Sequence, residues 1–120
     1  MKESVLRKKS FEFSLAVIKE YKNLCDNRKE YVLSKQLLRS GTSIGANIEE
    51  AAGAQSKKDF LHKMSISYKE ARESRYWIRL LRGGDYLEES SANYLLNGVD
   101  EIIRITSSSI VTVRRNLNEK

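Results

Sequence analysis

Proline is absent from all 120 positions, so nothing in the chain forbids long uninterrupted helices. Cysteine occurs once, as Cys25, which excludes an internal disulfide and any cluster of thiolate metal ligands. His62 is the single histidine and Trp77 the single tryptophan. Apolar runs are only a few residues long, far short of the ~18 that a membrane-spanning helix needs. The basic start MKESVLRKKS is followed by no apolar stretch, so a secretory signal is not expected and a cytoplasmic setting is.

What remains suits one domain over residues 1–120. Hydrophobic residues make up 40% of the chain, enough for a core, and charged residues 32%, above the roughly 25% of an average globular protein. The net charge of +6 is unevenly spread. Residues 57–82 carry eight basic and three acidic side chains, whereas residues 83–120 carry four and six. A positive field concentrated on one segment makes an anionic partner worth testing.

Apolar residues recur at helical spacing in four segments, about 10–25, 30–54, 57–82 and 88–116. In the first, Ser10 is a plausible N-cap. Phe11, Leu15, Ile18 and Cys25 share one face, with Phe13, Val17, Tyr21 and Leu24 beside it. The second turns Leu33, Leu37, Gly41, Ile44, Ile48 and Ala51 or Ala52 inward. Gly41 and Gly45 cost that helix about 1 kcal/mol each relative to alanine, which points to close approach by a neighbour, or else to a kink at Gly41. In the third, Ser56 and Asp59 resemble a capping box. Phe60, Met64, Ser67, Ala71, Ser74, Ile78 and Leu81 then follow a strict 4-3-4-3-4-3 spacing, and Gly83-Gly84 is expected to end the helix in left-handed backbone. The fourth is capped by Asp85 or Ser90. Leu95 or Leu96, Val99, Ile102 or Ile103, Thr106, Ile110, Val113 and Leu117 form its stripe. The short connections predict an all-α, antiparallel up-down-up-down four-helix bundle.

Enzyme chemistry finds few candidates, and no catalytic residue, metal ligand set or cofactor is expected. His62 projects onto a polar face without a second ligand at metal spacing. Glu49 and Glu50 are the only acid–base candidates. Ser43, Asn47 and Glu50, however, make an i, i+4, i+7 polar line typical of a satisfied hydrogen-bond network.

The third helix is the specific feature. Arg72, Arg75, Arg79 and Arg82 fall within a sector of about 80° on one shoulder of the seam, and Glu70, Glu73 and Trp77 occupy the other. Three readings stay open. The arginines contact phosphates, joined by Lys57, Lys58 and Lys63; or the two shoulders pair between subunits in a ring; or the face is simply solvated. Aromatics near the stripe are sparse, Tyr68 and Tyr76 at best, which argues against base readout on single strands.

The stretch from Leu33 to Leu81 resembles the four-helix-bundle family encoded in 23S rRNA intervening sequences. The residues that carry the resemblance are Gln36-Leu37-x-Arg39, Ser43-Ile44-x-x-Asn47-Ile48-x-Glu50, Ser56-x-Lys58-Asp59-Phe60 and the Glu70/Glu73–Tyr76-Trp77 region. Ala51 departs from the pattern, since many members have glycine there. The family is similar to the accessory protein of diversity-generating retroelements, a pentameric basic barrel that binds nucleic acid and a reverse transcriptase. The resemblance implies a homo-oligomer, a pentamer by that relative, with RNA or DNA and a protein as possible partners and no membrane. Arg39, Asn47, Glu50, Lys58 and Asp59 match motif positions and look like determinants of fold and assembly. Ser43, Glu70, Glu73 and Trp77 are grouped with them.

Overall fold

The computed structural model describes residues 2–118. Four helices follow one another: α1 Lys2–Asp26, α2 Leu33–Ala52, α3 Lys57–Gly83 and α4 Glu89–Asn118. Each packs on its neighbours in sequence and α1 closes the ring against α4, while the backbones of the diagonal pairs stay farther apart. The result is an all-α bundle of 53 × 22 × 20 Å. No helix among the described residues is long and apolar enough to cross a membrane.

The core follows the 3.6-residue period. Leu37, Ile44, Ile48 and Ala51 of α2 meet Met64, Ala71, Ile78 and Leu81 of α3, and Ala92, Leu95, Val99, Ile102 and Ile110 of α4 complete the wall. The α3 seam is buried as its spacing predicts from Met64 to Leu81, with Phe60 half-buried at its start. In α4 the ambiguous pairs resolve to Leu95 and Ile102. Small residues bring α2 and α3 close together. Ser74 Oγ donates to Ser40 Oγ at 2.8 Å and Ser67 Oγ to the Ile44 carbonyl at 3.0 Å, so the buried hydroxyls that permit close packing are also satisfied. The Thr106–Ser109 run stays helical, with Thr106 Oγ1 donating to the Ile102 carbonyl at 2.8 Å. Gly41 lies where α1 and α2 are closest: a Cβ there would stand 3.0 Å from Val17 Cγ2. At Gly45 the same contacts are ordinary, 3.5 Å and beyond, so the close approach rests on Gly41.

Several local expectations are overturned. Ser10 caps nothing: α1 begins eight residues earlier, at Lys2, because Leu6 extends the buried Phe13/Val17/Leu24 stripe toward the N-terminus. Ser10 lies buried inside the helix, donating to the Arg7 carbonyl at 3.1 Å. The face with Phe11, Leu15 and Ile18 points outward, at 65%, 53% and 37% exposure. Glu30 does not open α2. It sits before the helix, buried, and its carboxylate accepts from the backbone N–H groups of Val32, Leu33 and Ser34 at 3.1, 2.9 and 2.7 Å. Burial alone would raise its pKa, but those hydrogen bonds outweigh it and hold the carboxyl below its ordinary value. The α2 N-terminus is therefore capped by an anion where a helix dipole favours one.

At the end of α3 the glycines keep right-handed backbone, and the left-handed residue is Asp85, at φ 67°. The amides of Tyr86 and Asp85 reach back to the carbonyls of Leu81 and Arg82 at 2.8 and 3.1 Å, the paired bonds of a Schellman turn. Neither Asp85 nor Ser90 caps α4. That helix begins at Glu89, and the Glu88 carbonyl takes the Ala92 amide at 2.9 Å. Arg28 ties the two loops at this end together, donating to the carbonyls of Tyr86 and Asp85 with its guanidinium over the Tyr86 ring.

Candidate nucleic-acid interface on α3

The two shoulders of α3 lie against different neighbours. The acidic–aromatic shoulder faces α2. There Arg39 bridges Glu70 at 3.3 Å and also pairs with Glu73, and Glu73 accepts from the Trp77 indole N–H at 2.9 Å. Farther along the same seam, Lys63 pairs with Glu50 at 2.7 Å, and Asn47 donates to both the carbonyl and the hydroxyl of Ser43 at 2.9 and 3.2 Å. The Ser56 hydroxyl accepts the Asp59 amide at 3.0 Å, capping α3. Arg39, Glu50, Glu70, Glu73 and Trp77 thus make contacts along the α2–α3 seam, Ser43 and Asn47 bond to each other within α2, and Asp59 takes part in the α3 cap. Glu70 and Glu73 already have their arginine in their own chain.

The basic shoulder faces α4 and is only partly neutralised. Arg75 Nε donates to Asp100 Oδ1 at 2.7 Å, and Arg82 reaches Glu89 at 3.9 Å, the limit of an ion pair. Arg72 donates to the Tyr68 hydroxyl at 3.2 Å and lies 5.8 Å from that ring's centre. Arg72, Arg79, Lys57 and Lys58 have no carboxylate partner among the described residues, and all four are exposed. Arg72, Arg75, Tyr76, Arg79, Asp100 and Ile103 line an open groove of about 320 Å³. The structure brings the three central arginines to this groove. It leaves Lys57 and Lys58 more than a dozen residues back along α3, ~20 Å away at helical rise, and places Lys63 on the opposite flank with Glu50.

The groove's partners came from beyond the α3 pattern. Asp100 lies 25 residues from Arg75, and only the α3–α4 pairing brings them together. Tyr76 is half exposed, its ring edge-on to Trp77 with centroids 5.3 Å apart.

Other candidates offer less. His62 is exposed, and among the described residues no group of three His, Cys, Asp or Glu side chains is placed to hold a metal ion. Glu49 takes a bidentate contact from Arg7 at 2.8 and 3.0 Å, and that hydrogen bond holds its carboxyl below the ordinary range. A general acid working near neutral pH needs the opposite shift. Between α1 and α4 runs a wider groove of about 720 Å³, lined by Glu12, Leu15, Ala16, Tyr94 and Leu95 among others, beside the outward Phe11/Leu15/Ile18 stripe.

This architecture defines a four-helix bundle with one charge-closed flank and one residually basic flank on its third helix. The family model for 23S rRNA-intervening sequence proteins matches residues 2–108, and the chain belongs to that family. A similar solved structure is a protein of unknown function from the S23 ribosomal protein family of Bacteroides thetaiotaomicron VPI-5482. It is 45% identical, has a TM-score of 0.90, and the match covers 92% of this chain and 98% of that one. No curated protein matches.

Proposed function

We propose that this protein is a non-enzymatic, self-associating cytoplasmic bundle that binds RNA or DNA through the basic flank of α3, with low sequence specificity. The observation that carries the reading is the pair of exposed, carboxylate-free arginines, Arg72 and Arg79, set on either side of Arg75 in one groove. Guanidinium forks suit phosphate oxygens, and phosphate contacts confer affinity without reading sequence. Pairing of α3 flanks between subunits has less support, because Glu70 and Glu73 are engaged by Arg39 of the same chain.

Self-association instead finds support in α1. Phe11, Leu15 and Ile18 repeat at i, i+4, i+7 on an outward face, the anchor spacing of a helix that docks in a groove. The α1–α4 groove, which Leu15 itself lines, continues that apolar face and offers it to a second copy. Contacts between copies through this face close into a ring where the rotation between neighbours permits; the family resemblance makes five the number to test. The same apolar stripe is what favours the second reading, a scaffold whose partner is another protein.

Light-scattering mass after size exclusion, at low and high salt and with or without a mixed RNA pool, tests both parts. The expected result is a salt-stable oligomer, about five times the 13.8 kDa protomer, that gains mass with RNA only at low salt. Leu15→Glu should reduce it to a monomer. A monomeric wild type would reject self-association, and indifference to RNA at every salt would reject nucleic-acid binding in favour of the scaffold.

A further inference from the structure

Tyr76 is a feature of the α3 surface that phosphate binding leaves unexplained. It lies in the wall of the α3–α4 groove, 51% exposed, between Arg72 one turn before it and Arg79 one turn after. It is also held in place. Its ring meets the Trp77 indole edge-on at 5.3 Å, the indole N–H is bound by Glu73, and Glu73 is bound by Arg39. The closed acidic–aromatic shoulder thus braces an aromatic ring in the wall of the basic groove. Tyr68, the other aromatic near the stripe, has its ring covered by Arg72 and its hydroxyl engaged by the same side chain.

We infer that the nucleic acid bound by this flank is single-stranded, with one unpaired base stacking on Tyr76 and the adjoining phosphates on Arg72 and Arg79. The inference rests on the proposed function and names its ligand class. In a duplex the bases are stacked on one another, so an exposed tyrosine ring meets sugar, phosphate or base edges but no free base face. An unpaired base offers it a free π-face. Stacking adds affinity without regard to base identity, because every base has such a face. The sparse aromatics of the sequence argued against single strands, but one braced ring flanked by two exposed guanidinium groups without a carboxylate partner among the described residues is a sufficient unit.

The test is fluorescence anisotropy at low and moderate salt with a short mixed-sequence RNA, the same sequence as single-stranded DNA, its DNA duplex, and an abasic single strand of equal phosphate count. The parent protein should bind both base-bearing single strands more tightly than the duplex or the abasic strand. Tyr76→Leu should weaken the base-bearing strands about tenfold, leaving the duplex, the abasic strand and the salt slope unchanged. Tyr76→Phe should bind as the parent does. Because the ring lies outside the core, both variants should keep the parent melting temperature. Equal binding of the duplex, or a base-bearing strand indifferent to Tyr76→Leu, would overturn the inference while leaving the phosphate-binding reading intact. Failure of every probe to bind would overturn both.

Discussion

The two flanks of α3 are built from similar numbers of charges and end in opposite conditions. On the α2 side one arginine serves two glutamates and an indole completes the network, over a seam of buried serines and alanine. On the α4 side Arg75 meets one aspartate, Arg82 barely reaches a glutamate, and Arg72 and Arg79 meet no carboxylate among the described residues. Exposed ion pairs contribute little stability, typically 0–1 kcal/mol. The difference therefore concerns where charge is left over more than how firmly the helices are joined. The α2 flank pairs its charges within the chain, and the α4 flank retains unpaired positive charge, the basis of the proposed phosphate site.

The largest effect should come not from either flank but from the buried seam between them. Ala71, fully buried between Ser67 and Ser74, leaves no room for a longer side chain. Ala71→Leu should destabilise the fold by about 1–3 kcal/mol, lowering the melting temperature by roughly 5–15 °C in a calorimetric scan. On the open flank, Arg75→Leu should change stability by only about 0.5 kcal/mol or less. Equal losses at the two positions would mean that the charge of the open flank matters as much to stability as the packing of the seam.

A smaller effect is expected from Arg39→Ala, which leaves Glu70 and Glu73 facing each other without their cation. It should cost about 1 kcal/mol in urea denaturation, less at high salt, and red-shift Trp77 fluorescence as the indole loosens. The smallest change in stability, and the most informative one for binding, is Asp100→Asn. Removing the carboxylate that holds Arg75 should leave the fold within about 0.5 kcal/mol of the parent. It should tighten nucleic-acid binding and steepen the log–log salt slope by about 0.7 for single strands, one phosphate contact more. An unchanged slope would mean that Arg75 is not part of the binding face.

Much of this could be read from the sequence, and the failures have physical causes. The α3 seam from Met64 to Leu81 was legible because its apolar and small residues recur on one narrow stripe with charges on both sides. α1 was not, because it carries two apolar stripes. Periodicity located both, but the Phe11/Leu15/Ile18 stripe stayed outside while Phe13, Val17 and Leu24 went in, joined by Leu6 from before the expected start. Only the placement of α2 and α4 decides between them. Ser10 misled as a cap because a serine inside a helix can satisfy itself on a carbonyl one turn back. Glu30 read as a first helical residue, whereas its role depends on the chain turning so that its carboxylate faces three amides. The arginine stripe was visible as a stripe. Which of its members remain unpaired was not, since Asp100 and Glu89 belong to another helix whose register local pattern does not specify.

The central claim, that the α4-facing flank of α3 holds phosphates, is tested most directly by the salt dependence of single-stranded RNA affinity in the parent and in Arg72→Gln/Arg79→Gln. The account predicts a linear fall of log K with log salt in the parent, and a slope shallower by about 1.4 in the double variant at unchanged melting temperature. A parent whose affinity ignores salt, or a double variant with the parent's slope, would contradict it.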